Sequence, residues 1–418
     1  MNYKKRLYEE HIRELARHFK IIFLVGARQV GKSTLLEHLF PDYRSFVFDP
    51  LQDLYNVRQD PDLFLQNFPA PLILDEIQFV PEVLPSLKRM VDRSDARGQY
   101  FLTGSQQLSI LRSVAESLAG RVAIIDIGPM IPQEQYSNYS TSDNWLAVYL
   151  AHPETVHTRC SGGSVQQSLY EILWRGGMPG AIELPHQTLP TYFSSYIQTY
   201  VERDIRTLEN IQNLSDFGRF FALLAALTAQ EINYSELGRE IGITPATAQR
   251  WVQLLMHTYQ WFEVPAYHGN VIKRISSKPK GFFSDTGIAS YLQRISSPQA
   301  LASSPLLGAL FESFCFSLIR TLASVLPMKP RMYHWRTGGG AEVDLILELD
   351  GTLYPIEIKC KSNVTGHDTR GIQAFKQTYP HQKIAMGLIL YAGDVCYQVN
   401  DHAVALPWNS VILKNGGN

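Results

Sequence analysis

Short apolar runs alternate with helix-period segments over the first 130 residues. Segments such as STLLEHLF and VLPSLKRMVDR have apolar positions at helical spacing and lie between the apolar runs. Buried parallel strands are apolar on both faces and are joined by helices. The alternation therefore predicts an α/β domain over 1–130, with helices on both faces of a parallel sheet. Its expected strands are IIFLV (21–25), SFVFD (45–49), PLILD (71–75), YFLT (100–103) and VAIIDI (122–127).

The rest of the chain changes pattern three times. Residues 131–210 begin as an irregular stretch rich in Ser, Thr, Asn and Gln and then become helical, which indicates a helical linker or lid region. Residues 211–295 combine helical segments with short strands, and we interpret them as a winged-helix-like domain. Residues 296–418 open with the apolar helix LLGALFESFCFSLIRTLASVL and continue into strands, which predicts a C-terminal α/β domain.

Composition indicates a folded chain of several domains. Its 418 residues exceed what one hydrophobic core usually organises. Hydrophobic residues make up 45% and charged residues 18%, as in ordinary globular proteins. Because 38 Lys and Arg balance 39 Asp and Glu, the net charge of -1 gives no argument for binding a nucleic acid or a membrane surface.

The cysteines and the N-terminus bear on localisation. Cys160, Cys315, Cys360 and Cys396 lack the spacing of a CxxC or metal motif, so we expect free thiols in a reducing compartment. The first 20 residues are charged throughout, unlike a signal peptide, and no run approaches the roughly 18 apolar residues of a membrane span. We expect a cytoplasmic protein that does not contact a membrane.

A phosphate-binding loop stands out at residues 26–34. GARQVGKST fits GxxxxGK[ST], follows an apolar strand and opens an amphipathic helix. Lys32 is expected to reach the β- and γ-phosphates of ATP, and Ser33 to supply an oxygen to Mg²⁺. The predicted ATP-binding residues are Gly26, Ala27, Arg28, Gln29, Val30, Gly31, Lys32, Ser33 and Thr34.

Two further strand ends carry candidate catalytic residues. LILDEIQ (72–78) ends in Asp75, expected to orient Mg²⁺, and Glu76, expected to activate the attacking water. FLTGSQQ (101–107) contains Ser105 as the first candidate, and Thr103 as the second, for a hydroxyl that holds the γ-phosphate or the water. The alternative for Asp75 and Glu76 is an acidic pair at an exposed strand end. The alternative for FLTGSQQ is an ordinary strand-to-loop turn.

Arg121 precedes the strand VAIIDI and is a candidate cation for the γ-phosphate. It would act in cis or as an arginine finger toward a neighbouring subunit. A surface or ion-paired arginine is the alternative that the spacing favours.

Three helices with a turn between the last two are predicted at 216–230, 234–242 and 243–258. Thr244 suits an N-cap, Pro245 a first helical position and Gly242 the turn. A DNA-reading winged helix would present Thr247, Gln249 and Arg250 to bases and Lys273, Arg274, Lys278 and Lys280 to phosphates. A winged helix that contacts protein is an equal alternative, because the third helix carries one strong cation.

Near the C-terminus, GGGAEVDLILELDGTLYPIEIKCKS (338–362) predicts a hairpin that turns at Asp350-Gly351. Asp344 and Glu357 then lie opposite each other, with Lys359 on the same face. The other face would carry an apolar layer that includes Val343, Leu345, Leu347, Leu349, Tyr354, Ile356 and Ile358. Pro355 is expected to disturb the register locally.

Two carboxylates and a lysine at a sheet suit a metal-dependent nuclease, in which the carboxylates hold Mg²⁺. Glu312 on the preceding helix would complete the cluster of Glu312, Asp344, Glu357 and Lys359. An exposed hairpin with a surface ion pair is an equal alternative.

Together these motifs resemble a family of prokaryotic AAA-type P-loop ATP-binding proteins. The C-terminal domain of that family, of unknown function, is similar to the PD-(D/E)xK restriction-endonuclease-like fold. The resemblance covers nearly the whole chain and implies that Glu312, Asp344, Glu357 and Lys359 form a nuclease-like cluster. It rests on the P-loop, LILDEIQ, LTGS, SLAGR, WRGGMPG (174–180), YVERDI (200–205), SDTGIASYL (284–292), GALFESF (308–314), EVDLIL and YPIEIK.

Two functions compete at this point. The first is a Mg²⁺-dependent ATPase whose nucleotide state controls a winged helix and a nuclease-like domain acting on DNA. The second is a nucleotide-dependent regulatory or scaffold protein whose C-terminal domain binds a partner without catalysis. A slow switch that barely hydrolyses ATP is a third possibility, because Arg121 would need a partner subunit.

Overall fold

The computed structural model describes residues 3–105, 114, 118–136, 144–165, 167–201, 205, 213–270 and 277–413. Its N-terminal part is built around a five-stranded parallel sheet in the order β2-β3-β4-β1-β5. The strands are β1 (Ile21–Val25), β2 (Arg44–Val47), β3 (Leu72–Asp75), β4 (Tyr100–Gly104) and β5 (Val122–Asp126). The five strands expected from the apolar runs are confirmed.

Helices connect and cover this sheet. They are α1 (Glu9–His18), α2 (Lys32–Leu39), α3 (Pro61–Asn67), α4 (Val83–Asp92) and α5 (Pro132–Tyr136). β1 lies between β4 and β5, and all five of its residues are buried. Because parallel strands share one carboxyl edge, the segments that follow β1, β3 and β4 meet there.

The described part of the expected irregular stretch after residue 131 is more ordered than its composition indicates. It contains α6 (Trp145–Ala151), α7 (Val156–Arg159) and β6 (Cys160–Gly162). β6 pairs antiparallel with Ser410–Ile412 near the end of the chain. Asn144 caps α6 and also donates to the carbonyl of Leu322 at 2.9 Å. The expectation of an irregular excursion was wrong here, because long-range contacts with the C-terminal part order these residues.

The next helices bring two of the resemblance motifs together. α8 (Leu169–Arg175) leads into the glycine pair of WRGGMPG, and α9 (Leu189–Tyr196) follows. The buried Asp285 accepts a hydrogen bond from the backbone N–H of Gly177 at 2.7 Å and caps the helix that begins at Thr286. A Cβ on Gly176 would lie 2.3 Å from this carboxylate, so only glycine fits there.

The predicted trio of helices is present as α10 (Leu214–Ala226), α11 (Tyr234–Ile241) and α12 (Pro245–His257). Thr244 caps α12, and Gly242 has a left-handed φ of 85°. The helices adjoin a small antiparallel sheet in the order β7-β9-β8. Its strands are β7 (Gln230–Glu231), β8 (Trp261–Val264) and β9 (Lys280–Phe283). The winged-helix class remains a prediction.

The C-terminal part is a mixed sheet with helices packed against it. α13 (Thr286–Leu292) and α14 (Pro298–Ala302) precede α15 (Leu307–Ser324), and α16 (Arg370–Thr378) lies between strands. The sheet order is β10-β11-β12-β14-β16-β15, with β13 beside β12. The strands are β10 (Arg331–Arg336), β11 (Glu342–Leu349), β12 (Thr352–Lys359), β13 (Lys383–Ile384), β14 (Gly387–Tyr391), β15 (Tyr397–Asn400), β16 (Ala403–Pro407) and β17 (Ser410–Ile412).

The hairpin β11–β12 has the predicted turn and register. Asp350 and Gly351 both have positive φ, and Leu345 pairs with Ile356. Pro355 pairs with Ile346 and does not interrupt the register, so the expected disturbance was wrong there.

The irregularity lies instead on the other side of β11. The register between β10 and β11 shifts between the pairs Tyr333–Ile346 and Trp335–Val343. Val343 therefore packs with Ile346 in a small core and not with Leu345, which corrects its predicted face.

α15 is long and apolar enough to cross a membrane by length and composition, contrary to the expectation that no run would approach this length. Of its 18 residues, 61% are buried within the protein, as in a core helix. The predicted free thiols are confirmed for all four cysteines. The domain boundaries at 130, 210 and 295 and the cytoplasmic location remain predictions.

Candidate nucleotide site and carboxylate cluster

The P-loop folds around the side chain of Lys32. Gly26 and Gly31 have φ values of 150° and 91°, and a Cβ on Gly26 would lie 2.2 Å from the carbonyl oxygen of Ile127. The buried Lys32 Nζ donates to the carbonyls of Gly26 at 3.1 Å and Ala27 at 2.9 Å. The ammonium group of Lys32 thus lies within the loop at the N-terminus of α2, where anions are favoured.

The outer side of the P-loop rests against α9. The hydroxyl of Tyr196 donates to the carbonyl of Arg28 at 3.3 Å, and that of Tyr192 to the side chain of Gln29 at 3.3 Å. The amide of Gln260 donates to Tyr196 at 3.2 Å. No sequence pattern indicated these contacts, because the residues are more than 160 positions from the loop.

Ser33 and Asp75 meet beside the P-loop. The Ser33 hydroxyl lies 2.8 Å from both oxygens of the Asp75 carboxylate. Thr103, the second candidate after Ser105, also donates to Asp75. Hydroxyl and carboxylate oxygens are hard ligands, and the pair fits Mg²⁺ in a nucleotide complex.

Glu76 lies at the end of β3 with a left-handed backbone, φ 58° and ψ 47°. Its N–H donates to Thr103 at 3.1 Å, and its carboxylate accepts from Ser105 at 3.2 Å. Gln78 also donates to this carboxylate. The structure therefore brings Glu76 and Ser105 together, with Gln78 as a third member that was not predicted, although LILDEIQ contains it.

Arg121 lies at the opposite edge of the sheet. Its carbonyl accepts from the N–H of Ile21 at the start of β1, roughly 15 Å along the strand from the P-loop. Its guanidinium pairs with Asp92 at 2.5 and 3.0 Å. Arg121 is thus ion-paired and too distant for a phosphate contact within the same chain, while an arginine finger toward another subunit remains a prediction.

The N-terminal segment attaches to the P-loop through Arg6, which was not among the predicted site residues. This buried guanidinium donates to the carbonyl of Val30 at 2.7 Å, to that of Gly128 at 2.9 Å and to Glu134 at 3.0 Å. Because charged residues occur throughout the N-terminal segment, no sequence pattern distinguished Arg6 from its neighbours. A mostly apolar cavity of about 190 Å³ lies between this segment, α2 and residues 179–183, lined by Tyr3, Arg6, Gly31, Thr34, Pro179 and Ile182, among others.

The four predicted residues of the C-terminal cluster lie together. Lys359 Nζ is 2.6 Å from Glu357 Oε2 and 3.2 Å from Asp344 Oδ2. Asp344 also accepts from the N–H of Ile358 at 2.8 Å. Asp344 and Glu357 are 5% and 2% exposed, so the alternative of a solvent-exposed surface pair does not describe them.

Lys280 of β9 completes the cluster from the middle of the chain. Its Nζ forms a close ion pair with Glu312 and lies 3.4 Å from Asp344 Oδ1. Because Lys280 is 9% exposed, its expected role on DNA phosphates was wrong. Lys278 is exposed, and Lys273 and Arg274 lie outside the described residues.

Burial and charge shift the pKa values of the three carboxyl groups in different directions. Burial, aided by Asp344, raises the pKa of Glu312 to about 8 and also raises that of Glu357. Burial opposes ionisation of Asp344 too, but Lys280 and Lys359 outweigh it and lower this pKa to about 2. Burial acts to lower the pKa of both lysines, but the neighbouring carboxylates raise it above its ordinary value.

The cluster in this arrangement does not fit a divalent cation. Lys280 and Lys359 form ion pairs with carboxylate oxygens to which a metal ion would have to bind. These oxygens belong to Glu312, Asp344 and Glu357. Within the residues that the structure describes, no group of three or more His, Cys, Asp or Glu side chains is arranged to hold a metal ion.

The candidate DNA-reading residues lie on α12. Gln249 and Arg250 are exposed, and the hydroxyl of Thr247 is 2.9 Å from that of Thr244. These positions are accessible to a partner, and the contact with DNA remains a prediction.

Comparison with known families identifies the N-terminal part. A family model described as an AAA domain matches residues 18–136. This match and the P-loop geometry show that the chain contains an AAA-type P-loop ATPase domain. Models described as Domain of unknown function (DUF8612) and Domain of unknown function (DUF4143) match residues 166–299 and 307–411. The restriction-endonuclease-like class of the C-terminal part remains a prediction.

Two curated relatives match most of this chain. Uncharacterized proteins of Mycobacterium bovis and Mycobacterium tuberculosis are each 27% identical over 395 residues, covering 94% of this chain and 81% of theirs. Among solved structures, a Walker-type ATPase of Pyrococcus abyssi is 15% identical, with 70% of this chain and 96% of that chain covered and a TM-score of 0.43. The RuvB Holliday junction branch migration motor of Thermotoga maritima is 14% identical, with 66% and 95% covered and a TM-score of 0.31.

Proposed function

We propose that the protein is a Mg²⁺-dependent ATPase whose nucleotide state controls the C-terminal domain. Lys32 supplies the cation for the phosphates, and Ser33 and Asp75 would hold Mg²⁺. Mg²⁺ contributes charge neutralisation between the phosphates when it is bound with the nucleotide. The observation that carries the ATPase assignment is the convergence of Lys32, Ser33, Asp75 and Glu76 at one edge of the sheet.

Glu76 acts as the base in this proposal. A carboxylate at the end of β3 takes a proton from the water that attacks the γ-phosphate. The N–H of Glu76 donates to the Thr103 hydroxyl, which holds the backbone of Glu76 in place. The Ser105 hydroxyl donates to the Glu76 carboxylate and holds the side chain. The apolar cavity beside Gly31 and Thr34 would receive the base of the nucleotide, since it adjoins the loop that holds the phosphates.

A chain of contacts supports control of the C-terminal domain. Tyr196 joins the carbonyl of Arg28 in the P-loop to the side chain of Gln260. Gln260 immediately precedes β8, and Val264 of β8 pairs with Lys280 of β9. A movement of the P-loop on nucleotide binding would therefore reach the ion pairs of Lys280 through α9 and the β8–β9 pair.

The ATPase assignment is tested by comparing turnover and ATP binding in the wild type, Lys32→Ala and Glu76→Gln. Lys32→Ala should lose ATP binding, whereas Glu76→Gln should bind ATP and stop hydrolysis. Wild-type turnover in Glu76→Gln would overturn the role of Glu76.

Coupling is tested by amide hydrogen exchange of residues 280–283 with and without ATP. The Glu76→Gln variant should change protection of this strand on ATP binding, and the Glu76→Gln/Tyr196→Phe variant should not. Tyr170→Phe on the exposed face of α8 is the matched control. Equal responses with and without the Tyr196 hydroxyl would show that the coupling does not run through α9.

Metal-dependent cleavage of DNA is a second candidate, favoured by the convergence of Glu312, Asp344, Glu357 and Lys359. It requires Lys280 to withdraw, because this lysine pairs with two of the carboxylates. DNA cleavage with Mg²⁺ or Mn²⁺ should then depend on ATP and be lost in Asp344→Ala. Failure to cleave DNA or RNA, with ATP still bound, would favour a regulatory protein whose C-terminal domain is a non-catalytic binding module.

A further inference from the structure

Gln78 belongs to a closed triangle of side chains at the carboxyl edge of the ATPase sheet. It lies in a short 3₁₀ turn directly after β3 and Glu76. Its Nε2 donates to Glu76 Oε2 and to Ser105 Oγ at 3.1 Å. Ser105 in turn donates to the same oxygen of Glu76 at 3.2 Å. Two donors, one from the segment after β3 and one from the segment after β4, thus meet on one carboxylate oxygen of Glu76.

The chemistry of the groups determines the direction of these bonds. An ionised carboxylate only accepts hydrogen bonds, so the nitrogen of the Gln78 amide must face Glu76. The amide has two N–H donors, and one serves Glu76 while the other serves the Ser105 oxygen. That second bond directs the single Ser105 proton toward Glu76. Gln78 therefore orders the whole triangle and is not merely one of its donors.

The two carboxylate oxygens of Glu76 differ in their hydrogen bonds. Both Gln78 and Ser105 bond to Oε2, and neither bonds to Oε1. A base that is held through one oxygen keeps the other for the proton it accepts. The left-handed backbone of Glu76 and its N–H bond to Thr103 fix the other end of the residue. The carboxylate is consequently held at both ends.

We infer that Gln78 is a positioning residue for ATP hydrolysis. It holds Glu76 Oε2, directly and through Ser105, so that Oε1 is presented to the attacking water. This inference rests on the proposed role of Glu76 as the base. Gln78 lies outside the P-loop and its amide donates to Glu76 and Ser105, so its removal should affect turnover and leave ATP binding intact.

The test is a double-mutant cycle between Gln78 and Glu76. Gln78→Met keeps an unbranched side chain of similar length and removes both donors. Because hydrogen bonds to a charged group stabilise by about 1.5–3 kcal/mol, turnover should fall by roughly 10-fold to 100-fold, with the dissociation constant for ATP changed less than about threefold. In the Glu76→Gln background the same change should have no further effect, because Gln78 acts through Glu76.

Controls separate this inference from the proposed function. Gln66→Met, on the exposed face of α3, should match the wild type in turnover and binding. Gln78→Ala is a second variant for the case that Gln78→Met unfolds at a lower temperature than the wild type. It should likewise lower turnover and retain ATP binding. Wild-type turnover in both Gln78 variants, or an equal loss with and without Glu76, would overturn the inference. Wild-type turnover in Glu76→Gln would instead overturn the proposed function itself.

Discussion

The P-loop and the C-terminal cluster both bury lysine and carboxylate side chains, but the groups that contact the lysines differ. Lys32 donates to two neutral carbonyls, and the nearby Asp75 is engaged by Ser33 and Thr103. Lys280 and Lys359 are instead paired directly with carboxylates. The first arrangement places the ammonium group inside a loop at a helix N-terminus, where anions are favoured, whereas the second joins lysines and carboxylates from separate parts of the chain in ion pairs. Residue types alone therefore do not define a binding site.

Among the substitutions that test this comparison, Lys32→Ala should have the largest effect. Lys32→Ala should weaken ATP binding by at least roughly 100-fold, because the phosphates lose a charged donor. Equilibrium binding of a fluorescent ATP analogue measures the change. Lys383→Ala, an exposed lysine of the C-terminal domain, is the control and should bind as the wild type does. Normal binding by Lys32→Ala would place the nucleotide elsewhere.

Lys280→Met should produce a large loss of stability with ATP binding retained. Removing Lys280 leaves Glu312 without its ion-pair partner and Asp344 with Lys359 alone, and breaking a buried ion pair costs about 3–5 kcal/mol. Urea unfolding monitored by circular dichroism measures this loss. Adding Glu312→Gln should restore part of the stability, because it removes one uncompensated carboxyl group. A loss below about 0.5 kcal/mol would show that the cluster is not a structural ion-pair network.

A smaller effect is expected in the pH dependence of stability. The pKa of Glu312 is raised to about 8 in the folded protein, above its ordinary value of 4.5. The folded state therefore binds the proton more tightly, and the stability from this group is present below pH 4.5 and is lost as the pH rises toward 8. For one such group the slope is at most about 1.4 kcal/mol per pH unit.

Comparing urea unfolding of the wild type and Glu312→Gln at pH 5, 6.5 and 8 isolates this contribution. The difference in stability between the two proteins should change with pH in that window, since glutamine does not titrate. A pH-independent difference would contradict the raised pKa of Glu312.

The smallest effect is expected at Arg121, which faces neither the P-loop nor the C-terminal cluster. Solvent screens its partly exposed pair with Asp92, so Arg121→Ala should unfold close to the wild type. Turnover at low protein concentration should not change. A loss of turnover that appears only at concentrations where the wild type associates would instead support an arginine finger between subunits.

Local patterns predicted the elements that depend on neighbouring residues. The P-loop, the strand ahead of Asp75 and the Asp350-Gly351 turn each follow from a few consecutive positions, because backbone conformation and strand alternation are local properties. The register of the hairpin followed from its turn. The predicted face of Val343 was wrong because the bulge arises from pairing with β10, which the hairpin sequence does not contain.

The sequence by itself thus determined the phosphate-binding loop, the five parallel strands and the identity of most residues in both sites. Tertiary structure decided that Lys280 enters the carboxylate cluster, that Arg6 and Tyr196 hold the P-loop and that Arg121 lies at the far edge of the sheet. Lys280 and Asp344 are 64 positions apart, and Tyr196 and Arg28 are 168 apart. No periodicity or spacing encodes such pairs, because they form only when separate elements pack together.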